Sequence, residues 1–383
     1  MHVLAIKPEM VLYFFMANCI AVLIFNIMYI FIDKYEGKRG KRRSIQLEKR
    51  ITQQLMRVAG GQTVEPAHIK YLTKSLRRLR KLHAFEESFA VVQTSSPVAA
   101  ESMADYIRQI RPVFMGLTST YAKRDTIEQA YFAWLIESLG IDEGRRSFDE
   151  IIQFLLLMIS KKDVFVRENA LKALYAIGFP DAVLSAWSIM ENNEIYHSAK
   201  LLTDGLLSFR GDKQALARLL YSRRLEFSDR LVLPVMQFIR YFSGDYQEQF
   251  LALLDRDNEG KELRLEAIRY LGRYPYEKAR PLLQRMIQYE EYIDWEYAAM
   301  SARTLANYPG PDTERALKGG LHARSWYVRL NCAEALVDGL QLPLLQLYEI
   351  YNGRDRYARE ILQYVFEKSE IRNQKLALEA ADV

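Results

Sequence analysis

The stretch "DVFVRENALKALYAIG", residues 163–178, has the features of one complete amphipathic helix. Its apolar residues recur at intervals of three and four, which places them on one face of a helix. An aspartate precedes the stretch and a glycine ends it, as is common at the two ends of a helix. One such helix cannot bury its apolar face alone, so the fold depends on whether the pattern recurs.

The pattern does recur along the second half of the chain. Six further strings align with it, and the residues equivalent to Ala170 follow one another at steps of 30 to 34: Leu201, Pro234, Ala267, Ser301, Cys332 and Leu362. A shorter apolar segment lies before each aligned string. We therefore expect seven stacked two-helix units over residues 148–369, with one continuous core. No run of alternating polar and apolar residues is long enough to predict a strand, so the fold class is all-α.

The motif D-x-x-[VL]-R-x-x-A-[LIA]-x-x-L is best preserved in "DVFVRENALKAL" (163–174) and, with serine at its first position, in "SWYVRLNCAEAL" (325–336). At these residues the chain resembles HEAT repeats of the bacterial HEAT-like group, and the variable spacing fits the tetratricopeptide repeat less well. The resemblance implies a right-handed α-α solenoid. It also implies that aspartates and arginines of successive repeats form structural ladders, which would assign a structural role to this set: Asp163, Arg167, Arg264, Arg329 and Arg359.

Composition excludes several classes of function. The two cysteines are far apart, which argues against a disulfide framework or a thiolate cluster, and the five histidines lack metal-site spacing. The whole chain carries a net charge of +5, whereas residues 33–83 carry +11, so residues 84–383 are acidic at −6. An acidic body argues against nucleic-acid binding along its length.

Residues 10–32 contain no charged side chain, and this predicts a single transmembrane helix. Basic residues follow the segment, so residues 1–9 are expected outside the cell and the solenoid in the cytoplasm, at a bacterial inner membrane. Asn18 and Asn26 either bond locally or contact another transmembrane helix. Within the basic linker and amphipathic helix at 33–61, one cluster is expected to bind anionic lipid, although DNA binding or nuclear targeting is an alternative: Lys38, Arg39, Lys41, Arg42 and Arg43.

Helical patterns continue over residues 66–141, as degenerate repeats or as a separate capping bundle, and residues 370–383 form a C-terminal tail. The basic residues at 77–81 form a solvated face or a second contact for lipid or a partner.

No catalytic or nucleotide-binding motif is present, so we expect neither an enzyme nor a cofactor, a metal or a small-molecule substrate. The acidic string "EEYIDWE", 290–296, fits a helix turn better than acid–base chemistry. The chain is rich in aromatic residues, which serve either as large core residues or as a binding surface. The candidate partner surface consists of Tyr196, Trp295, Tyr297, Trp326, Tyr327 and Tyr357.

These features predict a membrane-anchored, non-catalytic scaffold that docks a protein partner. That partner is expected to be an integral membrane protein or its cytoplasmic domain. By resemblance in type, the complex could be a glycosyltransferase that makes envelope polysaccharide. The alternatives are a modifying enzyme similar to the HEAT-like lyases, or a lipid or nucleic-acid binder acting through the basic segment 34–81.

Overall fold

The computed structural model describes residues 8–95, 100–141, 147–254 and 260–381 of the chain. Some helical residues near the two ends are described by their backbone alone: 8–12, 14–15, 30–43, 376–378 and 380–381. The chain folds into two compact units, residues 1–182 and 183–383, which we call the first and second units.

The regular elements of the described residues are all helical, which confirms the all-α prediction. The first unit holds α1 (Pro8–Ala59), α2 (Pro66–Ser75), α3 (Leu79–Ser95), α4 (Ala100–Tyr121), α5 (Thr126–Ser138), α6 (Glu150–Ile159) and α7 (Val164–Ile177), and α8 (Pro180–Asn192) begins in it. The second unit continues with α9 (Ala199–Leu207), α10 (Lys213–Ser222), α11 (Asp229–Phe242), α12 (Gln247–Leu254), α13 (Lys261–Arg273), α14 (Arg280–Gln288), α15 (Trp295–Leu305), α16 (Pro311–Gly320), α17 (Trp326–Glu334), α18 (Tyr348–Tyr351) and α19 (Arg356–Ala381).

The predicted transmembrane segment is not a separate helix. Residues 10–32 form the first part of α1, which runs without interruption through the basic stretch to Ala59. Within the described part of the chain, no helix has the length and apolar character to cross a membrane.

The prediction of a single transmembrane helix at residues 10–32 is therefore wrong, and so is the single-pass inner-membrane location derived from it. The predicted extracytoplasmic segment 1–9 lies almost entirely outside the described residues. Asn18 and Asn26 are both exposed on α1. The five residues of the basic cluster have a helical backbone, and their side chains lie outside the described residues.

The second half of the chain consists of helix pairs, as the sequence predicts. Each residue equivalent to Ala170 lies in the second helix of a pair: α7, α9, α11, α13, α15, α17 and α19. Six of these seven residues are buried and Leu201 is half-buried. The positions that align in the sequence are therefore positions of the core. The first helices of the pairs are α6, α8, α10, α12, α14, α16 and the short α18, which a 3₁₀ turn precedes.

In the second unit each second helix packs on the next, in the order α9, α11, α13, α15, α17 and α19. Each pair also packs internally, for example α14 on α15 and α16 on α17. The buried residues from consecutive pairs form one apolar layer between the helices, which is how a repeat stack is stabilised.

In the first unit, α4 packs on α6 and α5 packs on α7, which is the pattern seen between successive helix pairs of the second unit. The C-terminal part of α1 packs differently, against α3 and α4, through buried Leu47, Ile51 and Leu55. Residues 33–61, predicted as a linker followed by a helix, thus belong mostly to α1. Residues 370–381, predicted as a tail, continue α19.

Candidate functional site

The arginines of the repeat motif bind backbone carbonyl groups in their own repeat. Arg167 donates through Nη1 to the carbonyls of Lys161 and Lys162, at 2.8 and 2.7 Å. Arg329 and Arg359 each donate to the carbonyl six residues before them, at 3.1 and 2.9 Å. These carbonyls lie in the turn between the paired helices, so the guanidinium groups stabilise the turn.

Arg264 makes the same kind of contact over a longer turn, with Nη2 3.3 Å from the carbonyl of Leu254. Asp163, the acidic residue of the motif, accepts a hydrogen bond from the backbone N–H of Val166 and caps α7. The residues predicted as a structural register thus lie at turns and helix ends.

Two of these arginines also contact a tyrosine of the following repeat. The Arg264 guanidinium lies 4.8 Å from the ring centre of Tyr297, and that of Arg329 lies 5.1 Å from the ring centre of Tyr357. A cation over an aromatic face is attractive. The arginine therefore links the turn of one repeat to the first turn of the next second helix.

Exposed aromatic side chains continue outward from these contacts. We call the following set the aromatic ridge: Trp295, Trp326, Tyr327, Tyr357 and Tyr364. It extends over α15, α17 and α19. The rings of Trp295 and Tyr327 stack at 4.6 Å, and Trp326 meets Tyr327 edge-on at 5.2 Å. Trp326 is 49% exposed and Tyr357 is 63% exposed, so the ridge presents contiguous aromatic surface to solvent.

Two predicted members of the partner surface, Tyr196 and Tyr297, lie outside the aromatic ridge. Tyr297 is only 7% exposed beneath Arg264, and burial raises the pKa of its hydroxyl. Tyr196 is half-buried, with its hydroxyl 3.3 Å from a carboxylate oxygen of Glu191 and with Arg230 over its ring. Tyr297 therefore serves the core, and Tyr196 contacts its own neighbours three repeats before the ridge.

A cavity of about 240 Å³ opens within the aromatic ridge. Its lining consists of Trp326, Arg329, Tyr357, Glu360, Ile361 and Tyr364. Glu360 forms an ion pair with Arg356 at 2.6 Å, and among the described residues no carboxylate pairs with Arg329. The cavity is thus mainly apolar, with a positive charge on one side.

The acidic string at 290–296 does not form a cluster. Glu290 is buried and accepts hydrogen bonds from the backbone N–H groups of Arg324 and Ser325, at 3.4 and 2.9 Å. Asp294 and Glu296 both bind Lys261, at 3.1 and 2.9 Å. These carboxylates connect consecutive repeats. No group of histidine, cysteine, aspartate and glutamate side chains in the described residues could hold a metal ion.

A larger cleft of about 770 Å³ lies beside Glu290, lined by α14, α16 and the turn before α17. His322 borders it, with Nδ1 2.7 Å from Oδ2 of Asp355. This hydrogen bond lowers the pKa of Asp355. Cys332 is fully buried behind the cleft, and burial, with a smaller effect of Glu290, raises the pKa of its thiol.

Sequence reasoning missed the pairing of His322 with Asp355 and the place of Tyr364 in the ridge. The partners in the first pair are 33 residues apart, which is one repeat. A search for complementary side chains one repeat apart would have found this pair. Tyr364 lies seven residues after Tyr357, which is two turns of the same helix.

One family model matches the chain. It is described as HEAT repeats and covers residues 247–337, which run from the start of α12 through α17 into the π-helical turn Ala335–Gly339 that follows it. No curated protein is significantly similar to the chain. The match does not bear on the source organism, so the bacterial origin stays a prediction. The matched repeats and the helix pairs on both sides of them confirm the resemblance: this is a helical protein with HEAT-like repeats.

Proposed function

We propose that the chain is a non-catalytic scaffold that binds a partner protein on the aromatic ridge. HEAT-like repeats are suited to this role, because stacked helices present long surfaces with many weak contacts. The observation that carries the proposal is the contiguous exposure of Trp326, Tyr327 and Tyr357 on consecutive repeats. Tryptophan and tyrosine dominate the binding energy of many protein interfaces.

The cavity in the ridge indicates which partner segment fits. Its volume of about 240 Å³ suits one large apolar side chain, and its aromatic lining would enclose that side chain. Arg329 adds a positive charge that no described carboxylate neutralises. A segment with an apolar anchor residue beside an aspartate or glutamate complements both features.

The cleft beside His322 is the place where the alternative, a modifying enzyme, would act. A lyase-type reaction needs a nucleophile or an acid–base pair in contact with substrate. His322 and Asp355 could supply the pair, whereas the thiol of Cys332 is buried and its pKa is raised. Because the cleft and the ridge use different residues, His322→Gln distinguishes the two functions: the scaffold proposal expects it to leave partner binding unchanged.

No described residue favours a polysaccharide-synthesis complex over another protein partner, so the proposal concerns a protein with the stated segment. The test is affinity purification with the intact chain, with the double variant Trp326→Ala/Tyr357→Ala and with the control Tyr348→Ala. Tyr348 is similarly exposed but lies on α18, outside the ridge. Circular dichroism confirms that all three chains are folded.

The partner that co-purifies with the intact chain in stoichiometric amount is then purified and titrated. Loss of a central aromatic anchor typically costs about 2–4 kcal/mol, so the double variant is expected to bind at least roughly 100-fold more weakly. Tyr348→Ala is expected to bind like the intact chain. Equal affinity of the ridge variant and the intact chain would refute the proposal.

A further inference from the structure

The spacing of the rings in the aromatic ridge is set by the spacing of the repeats. Trp326 begins α17, Tyr357 lies in the first turn of α19, and α17 packs directly on α19. Helices that pack on one another have axes about 8–10 Å apart. Exposed rings at the starts of successive second helices therefore recur along the ridge with a period of about 8–10 Å.

The orientation of the rings divides the ridge into two aromatic faces. Trp295 and Tyr327 stack with their planes 17° apart, whereas the plane of Trp326 makes an angle of 80° with that of Tyr327. Trp326 contacts this stacked pair through Tyr327 and also lines the cavity. A ligand that follows the ridge thus meets aromatic surface on both sides of Trp326.

The ridge also offers hydrogen-bond donors beside its aromatic faces. Trp326, Tyr357 and Tyr364 are each about half exposed or more. In the described part of the chain, no hydrogen bond engages the indole N–H of Trp326 or the hydroxyls of the two tyrosines. The carboxylate that lines the cavity, Glu360, is already paired with Arg356. The ridge therefore suits a ligand that has free carbonyl groups and few N–H groups.

We infer that the partner segment is proline-rich and binds in the polyproline II conformation, an inference that rests on the proposed function. This helix has three residues per turn and rises about 3.1 Å per residue, so its turn of about 9 Å matches the period of the rings. Its carbonyls have no internal hydrogen bonds, and proline has no N–H. Prolines three residues apart lie on one edge of this helix and reach both aromatic faces, with the apolar anchor residue beside one of them.

Two arginines determine the charge of the segment. Arg329 lines the cavity, and Arg359 occupies the equivalent position one repeat later. In the part of the chain that the structure describes, neither arginine forms an ion pair with a carboxylate. Acidic residues three apart also lie on one edge of a polyproline II helix, so each can pair with an arginine of a different repeat. The segment therefore combines spaced prolines with spaced acidic residues.

The test is selection from a phage-displayed library of random dodecapeptides. The target is the intact full chain, after removal of phage that bind the folded variant Trp326→Ala/Tyr357→Ala. The selected peptides are expected to contain two prolines three residues apart, with aspartate or glutamate next to them. The control Tyr348→Ala, altered on α18 outside the ridge, is expected to retain the same peptides.

Fluorescence anisotropy with the most enriched peptide, made synthetically, measures each contribution. Replacing both prolines by alanine is expected to lower the affinity for the intact chain at least about tenfold, because the free peptide loses its preformed conformation and the rings lose contacts. Replacing the acidic residues by their amides is expected to lower it about tenfold, because charge-assisted hydrogen bonds are lost. Both comparisons use the intact chain, so they do not depend on the folding of a variant.

Three results would overturn the inference: selection of ridge-dependent peptides without spaced prolines, such as amphipathic helices; selection of no peptide; or equal affinity of the alanine and proline peptides. The proposed function would survive each of these results, because its test uses the intact partner protein. Its own failure appears as equal affinity of the ridge variant and the intact chain for that protein.

Discussion

Single residues at helix ends show which parts of the repeat motif have a fixed role. The position seven residues before Ala170 is Asp163, and the position seven residues before its equivalent Leu362 is Asp355. Both aspartates accept hydrogen bonds from backbone N–H groups of the helix that follows. Asp294 and Ser325 occupy the same position without capping their helices. In the second repeat, the position seven residues before Leu201 is Glu194, but the residue that caps α9 is Ser198. An alignment by residue type therefore locates the turn, but the local backbone decides which side chain caps.

One histidine of the first unit, His68, has a strongly shifted pKa. His68 is buried on α2, and its Nε2 lies 3.0 Å from the hydroxyl of Tyr106. Burial, assisted by the charge of Arg50 and partly opposed by Glu65, lowers the pKa of His68 to about 4. At neutral pH the ring is therefore uncharged, and its hydrogen bond to Tyr106 joins α2 to α4.

This shift predicts how stability depends on pH. The unfolded chain takes up a proton at His68 near its ordinary pKa of about 6.5, whereas the folded chain does so only near pH 4. The His68 contribution to the free energy of unfolding is therefore complete above about pH 6.5, decreases as the pH falls, and levels off below about pH 4. Urea titrations of the intact chain and of His68→Gln should converge over this range, and parallel pH dependence of the two would contradict the assignment.

Helices of neighbouring pairs pack closely at the end of α16. Gly320, the last residue of α16, has no room for a methyl group: a Cβ there would overlap Sγ of Cys332 and lie 2.7 Å from Cγ2 of Ile287. At Gly319, the residue before it, a Cβ would meet nothing within 4 Å. Gly320 is therefore required for close packing, whereas Gly319 has no packing role.

This difference predicts opposite effects of the same substitution. Gly319→Ala removes backbone freedom from the unfolded chain at an open helical site, and it should stabilise the protein by roughly 0.5–1 kcal/mol. Gly320→Ala also reduces the backbone freedom of the unfolded chain, but its methyl group overpacks a close contact. Overpacking costs about 1–3 kcal/mol, so the net effect on stability should be destabilising. Urea unfolding monitored by circular dichroism measures both, and equal effects at the two positions would show that α16, α14 and α17 are farther apart than described.

The sequence predicted the elements well because each helix carries its own signals. The apolar spacing of residues 163–178 gave the register, and the equivalents of Ala170 fall in the second helices of all seven pairs. The candidate site was harder to predict, because the exposure of a side chain depends on its neighbours in other repeats. Trp295 and Tyr297 differ by two positions on one helix, yet Trp295 lies in the ridge and Tyr297 lies beneath Arg264. The apolar run at 10–32 was misread as a membrane span: it forms the first part of α1, and no described helix has the length and apolar character to cross a membrane.

For the whole molecule, the main property is that stability comes from neighbouring helix pairs. Each compact unit has its own buried layer, with Leu117 in the first and Leu362 in the second among its fully buried residues. In a stack of this kind, the stability of a repeat is the sum of its own contribution and those of its two interfaces. Local damage should therefore be felt most strongly in the adjacent repeats.

The rate at which the Cys332 thiol reacts with a reagent can measure how local damage affects the adjacent repeats. Cys332 is buried on α17, which packs against α19, whereas Cys19 is exposed. In a Cys19→Ser background, Cys332 should resist a thiol reagent until the second unit opens. Leu362→Ala on α19 removes buried side-chain atoms worth about 2–5 kcal/mol and should greatly accelerate the reaction. Leu117→Ala in the first unit is the matched control, and equal acceleration by both variants would show that the two units open together.

The contact between Arg329 and Tyr357 has a consequence for how such arrays change in length. The arginine binds the turn of its own repeat, but the ring that covers it belongs to the next repeat. A repeat duplicated or transplanted by itself takes the cation away from its aromatic partner, unless the new neighbour supplies a tyrosine at the same position. Recombination between arrays should therefore be tolerated best when the crossover falls after the tyrosine, so that both members of the pair are inherited together.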